Sequence, residues 1–373
     1  DKYNLILFSI SVLMILSCIV QNSYINGHTG FLIEKYLTWI GLFNWITFFW
    51  IFSASQDLLK TKRDRISFSY LLTLGTIPVI VSGLGQYFFN WIGPFKILNG
   101  FVIWYQRPIN EISGLTGLFN HANYAGSWLT IILPLCIAQI FDNSKNKYKS
   151  YLLSIILLGI IICIFLTNSR NAWGSSLLTL PIIFGLSSLW WFIPFSLFLA
   201  TLILITTNNI FKGALQDFLR TLLPNKVWLE FTQEGFKRLD VSRFEILNEA
   251  KNIILNNLFF GTGAGSFPLI YEINTGFWKG HAHNIFAELA ISYGLPSTIL
   301  FIYFLIKIFI ISFRKIFKDP INNIIDKSIW AASFIFILSQ MVDIQYFDGR
   351  ISLVFWLLIA GLKCSIDENN EIN

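Results

Sequence analysis

Long apolar runs alternate with short polar stretches along the chain. Runs of about 18 or more apolar residues recur, each long enough to cross a bilayer as a helix. By hydropathy the candidate spans lie near 4–20, 32–54, 68–89, 122–141, 151–168, 172–189, 191–207, 284–312, 328–344 and 351–364. About ten such spans predict an all-α polytopic membrane protein, because a helix satisfies its own backbone in lipid. The runs are continuously apolar rather than alternating, which argues against a membrane β-barrel. The stretch "SLWWFIPF", residues 188–195, reads as an interfacial turn, with aromatics at headgroup level and Pro194 opening the next helix.

The runs divide the chain into an N-terminal bundle of about seven spans (1–207), one large structured loop (208–283), three C-terminal spans (284–364) and a polar tail (365–373). The loop contains "RFEILNEAKNIILNNLF", where Ile246, Ala250, Ile253, Ile254 and Leu258 recur at helical spacing. This predicts an amphipathic helix that lies on the membrane surface or caps the bundle.

Composition agrees with the pattern: 54% of residues are hydrophobic and only 13% charged, against roughly a quarter charged in soluble domains. The net charge of +6 comes from clustered loop residues: Lys60, Lys62, Arg63 and Arg65; Lys145, Lys147 and Lys149; Arg314, Lys315, Lys318 and Lys327. An even number of spans separates these clusters. All therefore fall on one side, which the positive-inside rule makes cytoplasmic. The charge is topological and implies no nucleic-acid partner. The opposite, outer side receives residues 21–31, 90–121, 168–171, 208–283 and 345–350. Cys18, Cys136 and Cys163 lie inside apolar runs and Cys364 just past the last one, so no disulfide framework is expected. The first run lacks a small-residue cleavage site and reads as a span rather than a signal peptide.

Four polar features at span ends all fall on the outer side. They are "GLFNHANYAG" (117–126), "TNSRNAW" (167–173) with Arg170, "DVSRFEILNEA" (240–250) with Arg243, and "GHAHN" (280–284) with His281, His283 and Asn284. Taken singly, Arg170 also reads as an interfacial anchor, Arg243 as a solvated helix start, His121 or His281 as a hydrogen-bonded loop residue, and Asn120 and Asn123 as helix caps. Their gathering on one face points to a site. "GTGAGSF" (261–267) follows a helix rather than a strand, so it is not read as a nucleotide loop. Its glycines serve a sharp turn or a close backbone approach. A zinc site from His281, His283 and Glu288 has no recognised ligand spacing, so no metal or other cofactor is expected. Arginines bind phosphate oxygens in a bidentate manner, and a histidine can take a proton from a hydroxyl. Trp104, Tyr105 and Trp278 in the outer loops could stack on sugar rings. A substrate with a lipid tail, a phosphate linker and a glycan head would engage all three.

On these motifs the chain resembles the O-antigen ligase and polymerase superfamily of the Wzy_C type, most specifically over residues 115–300. "GLFNHANYAG" is similar to a family motif preceding a span, and "TNSRNAW" to its Ser-Arg turn. "SRFEILNEAKNIILNNLFFGTGAGSF" resembles its arginine-led helix and Gly-x-Gly turn, and "HAHNIFAELAISYGL" its His-Asn motif entering a span. The resemblance implies glycan transfer from an undecaprenyl-diphosphate-linked donor to a glycan, lipid or protein acceptor, without a metal, on the periplasmic face of the bacterial inner membrane. By the same resemblance Arg170 and Arg243 hold the diphosphate and His283 acts as general base. Asn120, His121, Asn123, His281 and Asn284 are expected at the substrate. Family members usually carry about twelve spans, so a truncated N-terminus is expected for a chain that starts at Asp1 without Met. The superfamily also includes a branch linked to inorganic-carbon uptake, which leaves a transport-related or non-enzymatic reading as the alternative. Transport would favour ionisable residues deep in spans, and the candidates, Glu34 and Asp343, lie close to span ends.

Overall fold

The computed structural model describes residues 1–24, 35–109, 114–208, 213–222, 241–318 and 323–371. Among the described residues, eight helical segments are long and apolar enough to cross a membrane: Lys2–Gln21, Tyr36–Ala54, Lys62–Phe89, Ala122–Asp142, Lys147–Leu166, Leu189–Thr207, Ile285–Ile316 and Gly349–Glu368. The other two of the ten expected spans are helical but shorter, Arg170–Phe184 with 15 residues and Ile324–Gln340 with 17. A straight crossing needs about 20. The first stops at Gly185, whose φ of 80° leaves the helical region. The second stops where the apolar run meets the polar stretch "QMVDIQ". The chain is an all-α multi-pass membrane protein.

It forms two compact units, residues Asp1–Ser69 with Val241–Asn373, and Tyr70–Asp240. The first contains α1 (Lys2–Tyr24), α2 (Lys35–Gly41), α3 (Ile46–Ala54), the start of α4 (Lys62–Gly75), α11 (Arg243–Asn256), α12 (Phe267–Thr275), α13 (Ile285–Ile316), α14 (Ile324–Gln340) and α15 (Gly349–Glu371). α13 is the central element, packed against α1, α11, α14 and α15. Phe52, Phe304 and Trp356 meet edge to face or tilted at centroid distances of 5.5–6.1 Å in its aromatic core.

α13 breaks at Gly294 (φ 85°), two residues before Pro296. Proline offers no N–H to the Ser292 carbonyl, and Leu295 N–H turns away to Leu258 O at 2.8 Å. Two buried carbonyls therefore need other donors. Ile291 O accepts from Thr262 N at 2.6 Å and Thr262 Oγ1 at 3.1 Å. Ser292 O accepts from Gly263 N and from Gln21 Nε2, each at 3.2 Å. This is the role of "GTGAGSF": its backbone repairs a broken span. Gly261 (φ 65°) lies so close that a Cβ there would stand 2.4 Å from Ile291 O.

α11 is the amphipathic helix expected from the sequence. A capping box opens it: Ser242 Oγ accepts from Glu245 N, and the Glu245 carboxylate accepts from Ser242 N. Ile246, Ala250 and Ile253 are buried with Phe267, Tyr271, Ala282 and Ile291, so the helix caps the bundle. Leu258 falls beyond its end and is exposed. At the far end of α13, two of the residues counted as loop charges are buried. Arg65 grips Asp326 through Nε–Oδ1 at 2.7 Å and Nη2–Oδ2 at 3.1 Å, and also meets Glu368 at 2.6 Å. Lys327 is buried as well.

The second unit contains the rest of α4, α5 (Ile77–Phe89), α6 (Ala122–Asp142), α7 (Lys147–Leu166), α8 (Arg170–Phe184), α9 (Leu189–Thr207) and α10 (Ala214–Leu222). α6 packs against α7 and α8 and is the most deeply buried helix of this unit. Pro194 does not open α9 but lies inside it, five residues past its start. An antiparallel hairpin, β1 (Phe95–Ile97) with β2 (Val102–Trp104), pairs Phe95 with Trp104 and Ile97 with Val102. Its turn carries Asn99-Gly100, both at positive φ, the dipeptide that suits tight hairpins.

Candidate functional site

The "HAHN" stretch enters α13 in the first unit. Asn284 is the N-cap: its Oδ1 accepts from Phe286 N and Ala287 N at 3.0 and 3.1 Å. Its Nδ2 donates to Met341 O at 3.2 Å, which ties the start of α13 to the loop between α14 and α15. The Glu288 carboxylate accepts from Ala282 N at 2.9 Å and anchors the stretch from below. His283 itself has a left-handed backbone, φ 54°, strained for a residue other than glycine. In that conformation its N–H donates to His281 Nδ1 at 3.1 Å.

The tied loop carries Asp343. Its Oδ1 lies 2.8 Å from His283 Nδ1 and 3.8 Å from His281 Nε2. The two histidine side chains keep 25% and 27% of their surface exposed and the Asp343 side chain only 7%. The rings are thus open to a substrate while the carboxylate is not. Burial pushes the Asp343 carboxyl up. The His283 hydrogen bond and the positive fields of His281, His283 and Arg243 outweigh it and hold the group below its usual value. Asp343 is therefore an anion that accepts the proton on His283 Nδ1. In the neutral ring this leaves the lone pair on Nε2, the arrangement a general base requires.

His281, His283 and Asp343 also have the side-chain types of a metal triad, with one ligand atom from each lying within 4.8 Å of the others. The hydrogen bonds already use two of those atoms differently. His281 Nδ1 accepts from His283 N, which puts the ring's proton on Nε2 and removes that atom as a ligand. His283 Nδ1 is committed to Asp343. Glu288, the third member of the zinc set considered from sequence, is committed to Ala282 N. The bonding favours proton transfer.

Arg243, the first residue of α11, acts electrostatically on Asp343 and so belongs to the same neighbourhood. The first unit thus brings together Arg243, His281, His283 and Asn284. Asp343 is the partner that sequence reasoning missed, having weighed it only for transport. The signal was available: it lies in a polar stretch at the mouth of a span, beside a loop already assigned to the face of "HAHN". Glu34 lies outside the described residues.

The second unit joins the other two motifs. Gln86 Oε1 accepts from Thr116 N and Gly117 N, fixing the entry to α6. His121, not either asparagine, is the N-cap of α6, its Nδ1 accepting from Asn123 N at 3.2 Å. Asn120 and His121 are exposed and Asn123 is half-buried. The "TNSRNAW" turn lies against this segment: a Cβ on Gly126 would stand 2.8 Å from Ala172 Cβ, and Leu115 N donates to Leu166 O at 2.8 Å. Ser169 caps α8, its Oγ accepting from Ala172 N. Arg170, the next residue, lines a cavity of about 890 Å³ whose other walls are almost wholly apolar, including Leu133, Ile137, Trp173 and Leu202.

No curated protein matches the chain. Residues 152–302 match a family model described as O-Antigen ligase. The matched segment contains Arg170, Arg243, His281, His283 and Asn284, and the match supports a place for the chain in the O-antigen ligase and polymerase superfamily.

Proposed function

We propose that the protein transfers a glycan from a lipid-diphosphate-linked donor to an acceptor hydroxyl at the periplasmic face of the bacterial inner membrane. The observation that carries the reading is the 2.8 Å bond between His283 Nδ1 and a buried, ionised Asp343. It turns His283 into a base at the mouth of a span. In the reaction the acceptor O–H gives its proton to His283 Nε2 as the oxygen attacks the anomeric carbon. The bond from that carbon to the diphosphate breaks, and the diphosphate leaves with the electron pair. Arg243, close enough to Asp343 to bias its charge, is the proposed partner of the departing anion. Arg170 has the same proposed role from its motif, and the apolar cavity that it lines suits a donor with a hydrocarbon tail.

The test is single-turnover transfer by the full chain reconstituted in lipid with an undecaprenyl-diphosphate-linked glycan. His283→Ala should lose about 10²–10⁴-fold in rate while still binding donor. Arg243→Lys and Arg170→Lys keep the charge but lose the planar fork. Each should lose about ten- to a hundredfold, the worth of a charge-assisted bond of roughly 1.5–3 kcal/mol. A fully active His283→Ala protein would sink the reading. Lysine variants with normal rates at limiting donor would make the arginines anchors.

A further inference from the structure

Asp343 is held on its far side as firmly as on the side of the histidines. Gln340, the last residue of α14, points its Oε1 at two backbone donors, Gln345 N at 2.7 Å and Tyr346 N at 2.9 Å. Those N–H groups cannot accept, so the Gln340 amide has one possible orientation. Its Nε2 then donates to Gln345 Oε1 at 3.0 Å, where Ser339 Oγ also donates at 3.4 Å. That bond in turn fixes the second amide, whose Nε2 donates to Asp343 Oδ2 at 2.8 Å. Gln340 and Gln345 are 0% and 1% exposed, so water cannot take over either bond. The neighbouring Tyr346 secures the loop to the core. Its hydroxyl donates to Asn44 O and accepts from Trp356 Nε1, each at 2.9 Å, and its ring stacks on Trp45 at 4.6 Å.

We propose that Gln340 and Gln345 form a directional amide relay that keeps Asp343 Oδ2 an acceptor and aims Oδ1 at the histidines, which makes both glutamines positioning residues for the transfer step. The inference rests on the reading of His283 as general base. The relay starts from backbone donors and ends in an N–H, so every bond in it has a fixed polarity. A proton on Oδ2 would face the Gln345 N–H donor to donor, so Oδ2 stays an acceptor and Oδ1 is the oxygen left to exchange a proton with His283. The loop geometry thus sets which oxygen works, and the ionised carboxylate sets the tautomer of His283.

The perturbation that reads this is Gln345→Met, which keeps length and removes the donor without adding charge. The charged and titratable groups around His283 are Asp343 from the α14–α15 loop, His281 from its own stretch, Arg243 from α11 and Glu288 from α13. None of them is altered by the substitution. Losing an N–H dipole makes the surroundings of His283 more negative. Its protonated form is then favoured, and the acidic limb of the transfer rate should move to higher pH, by roughly half to one unit. The maximal rate should fall about tenfold or more with donor KM unchanged. ¹⁵N NMR of the His283 imidazole in the full chain should show the same upward shift without any substrate. Gln345→Leu, which likewise removes the donor, should shift it in the same direction, and it serves where the Met variant folds poorly. A folded variant whose imidazole titrates as in the wild type overturns the relay. A wild-type protein that transfers no glycan overturns the proposed function, while the imidazole titration still decides the relay on its own.

Discussion

Replacing Asp343 by asparagine is the sharpest probe of the site, because the surrounding bonds dictate how the new side chain must sit. Asparagine has nearly the same shape but only one acceptor. Gln345 Nε2 donates at 2.8 Å to the far oxygen of residue 343. The amide oxygen of the variant must stay there, since an NH₂ group would meet the Gln345 N–H donor to donor. The NH₂ group therefore turns toward His283 Nδ1, now 2.8 Å from a donor instead of an anion. His283 can answer only by moving its proton to Nε2, which removes the lone pair that the proposed general base needs. Loss of the charge-assisted bond alone would cost roughly 1.5–3 kcal/mol, about ten- to a hundredfold in rate. The inverted tautomer removes base catalysis as well, so the expected loss is about 10²–10⁴-fold. Single-turnover transfer measures it, with donor binding and melting temperature followed in parallel. Donor affinity should be kept or slightly improved, because Arg243 loses a competing anion nearby. An Asp343→Asn protein that transfers at more than half the wild-type rate would refute the tautomer argument. A loss of only tenfold would reduce Asp343 to an orienting contact.

Two further outcomes test the fold and the topology. Gly294→Ala should cost about 2 kcal/mol or more and lower the melting temperature of the purified protein, because a Cβ at φ 85° would stand 2.1 Å from Phe259 O; Gly174→Ala in α8, where a Cβ meets nothing within 4 Å, should be neutral or stabilising by about 0.5–1 kcal/mol. In intact cells, with native cysteines replaced, a single cysteine at Lys279 should react with an impermeant thiol reagent and one at Lys147 should not; the reverse would invert the membrane orientation and move the histidines to the cytoplasmic face.

Helices and their number are set locally by hydrophobicity, so the apolar runs alone were enough to place nearly every long helix, the start of α13 and the amphipathic helix α11. Motif chemistry is also written along the chain: Arg170, Arg243 and "HAHN" stand out as polar groups at span ends. What depends on distant neighbours was not legible. The length of an apolar run did not reveal that 170–184 and 324–340 stop short of a full crossing, because a left-handed glycine and a polar loop end them. A basic residue counts as a loop charge until its partner is known, and Arg65 proved to be buried against Asp326, 261 positions away in sequence. The glycines of "GTGAGSF" acquire their purpose only from the carbonyls left bare by Gly294 and Pro296. The same holds for His283. The sequence marks it as a candidate base, but a base also needs the right tautomer. Its proton is placed by Asp343, 60 positions later, and Asp343 is placed in turn by two buried amides. Hydrogen-bond polarity is a property of who faces whom, and only the folded chain brings those partners together.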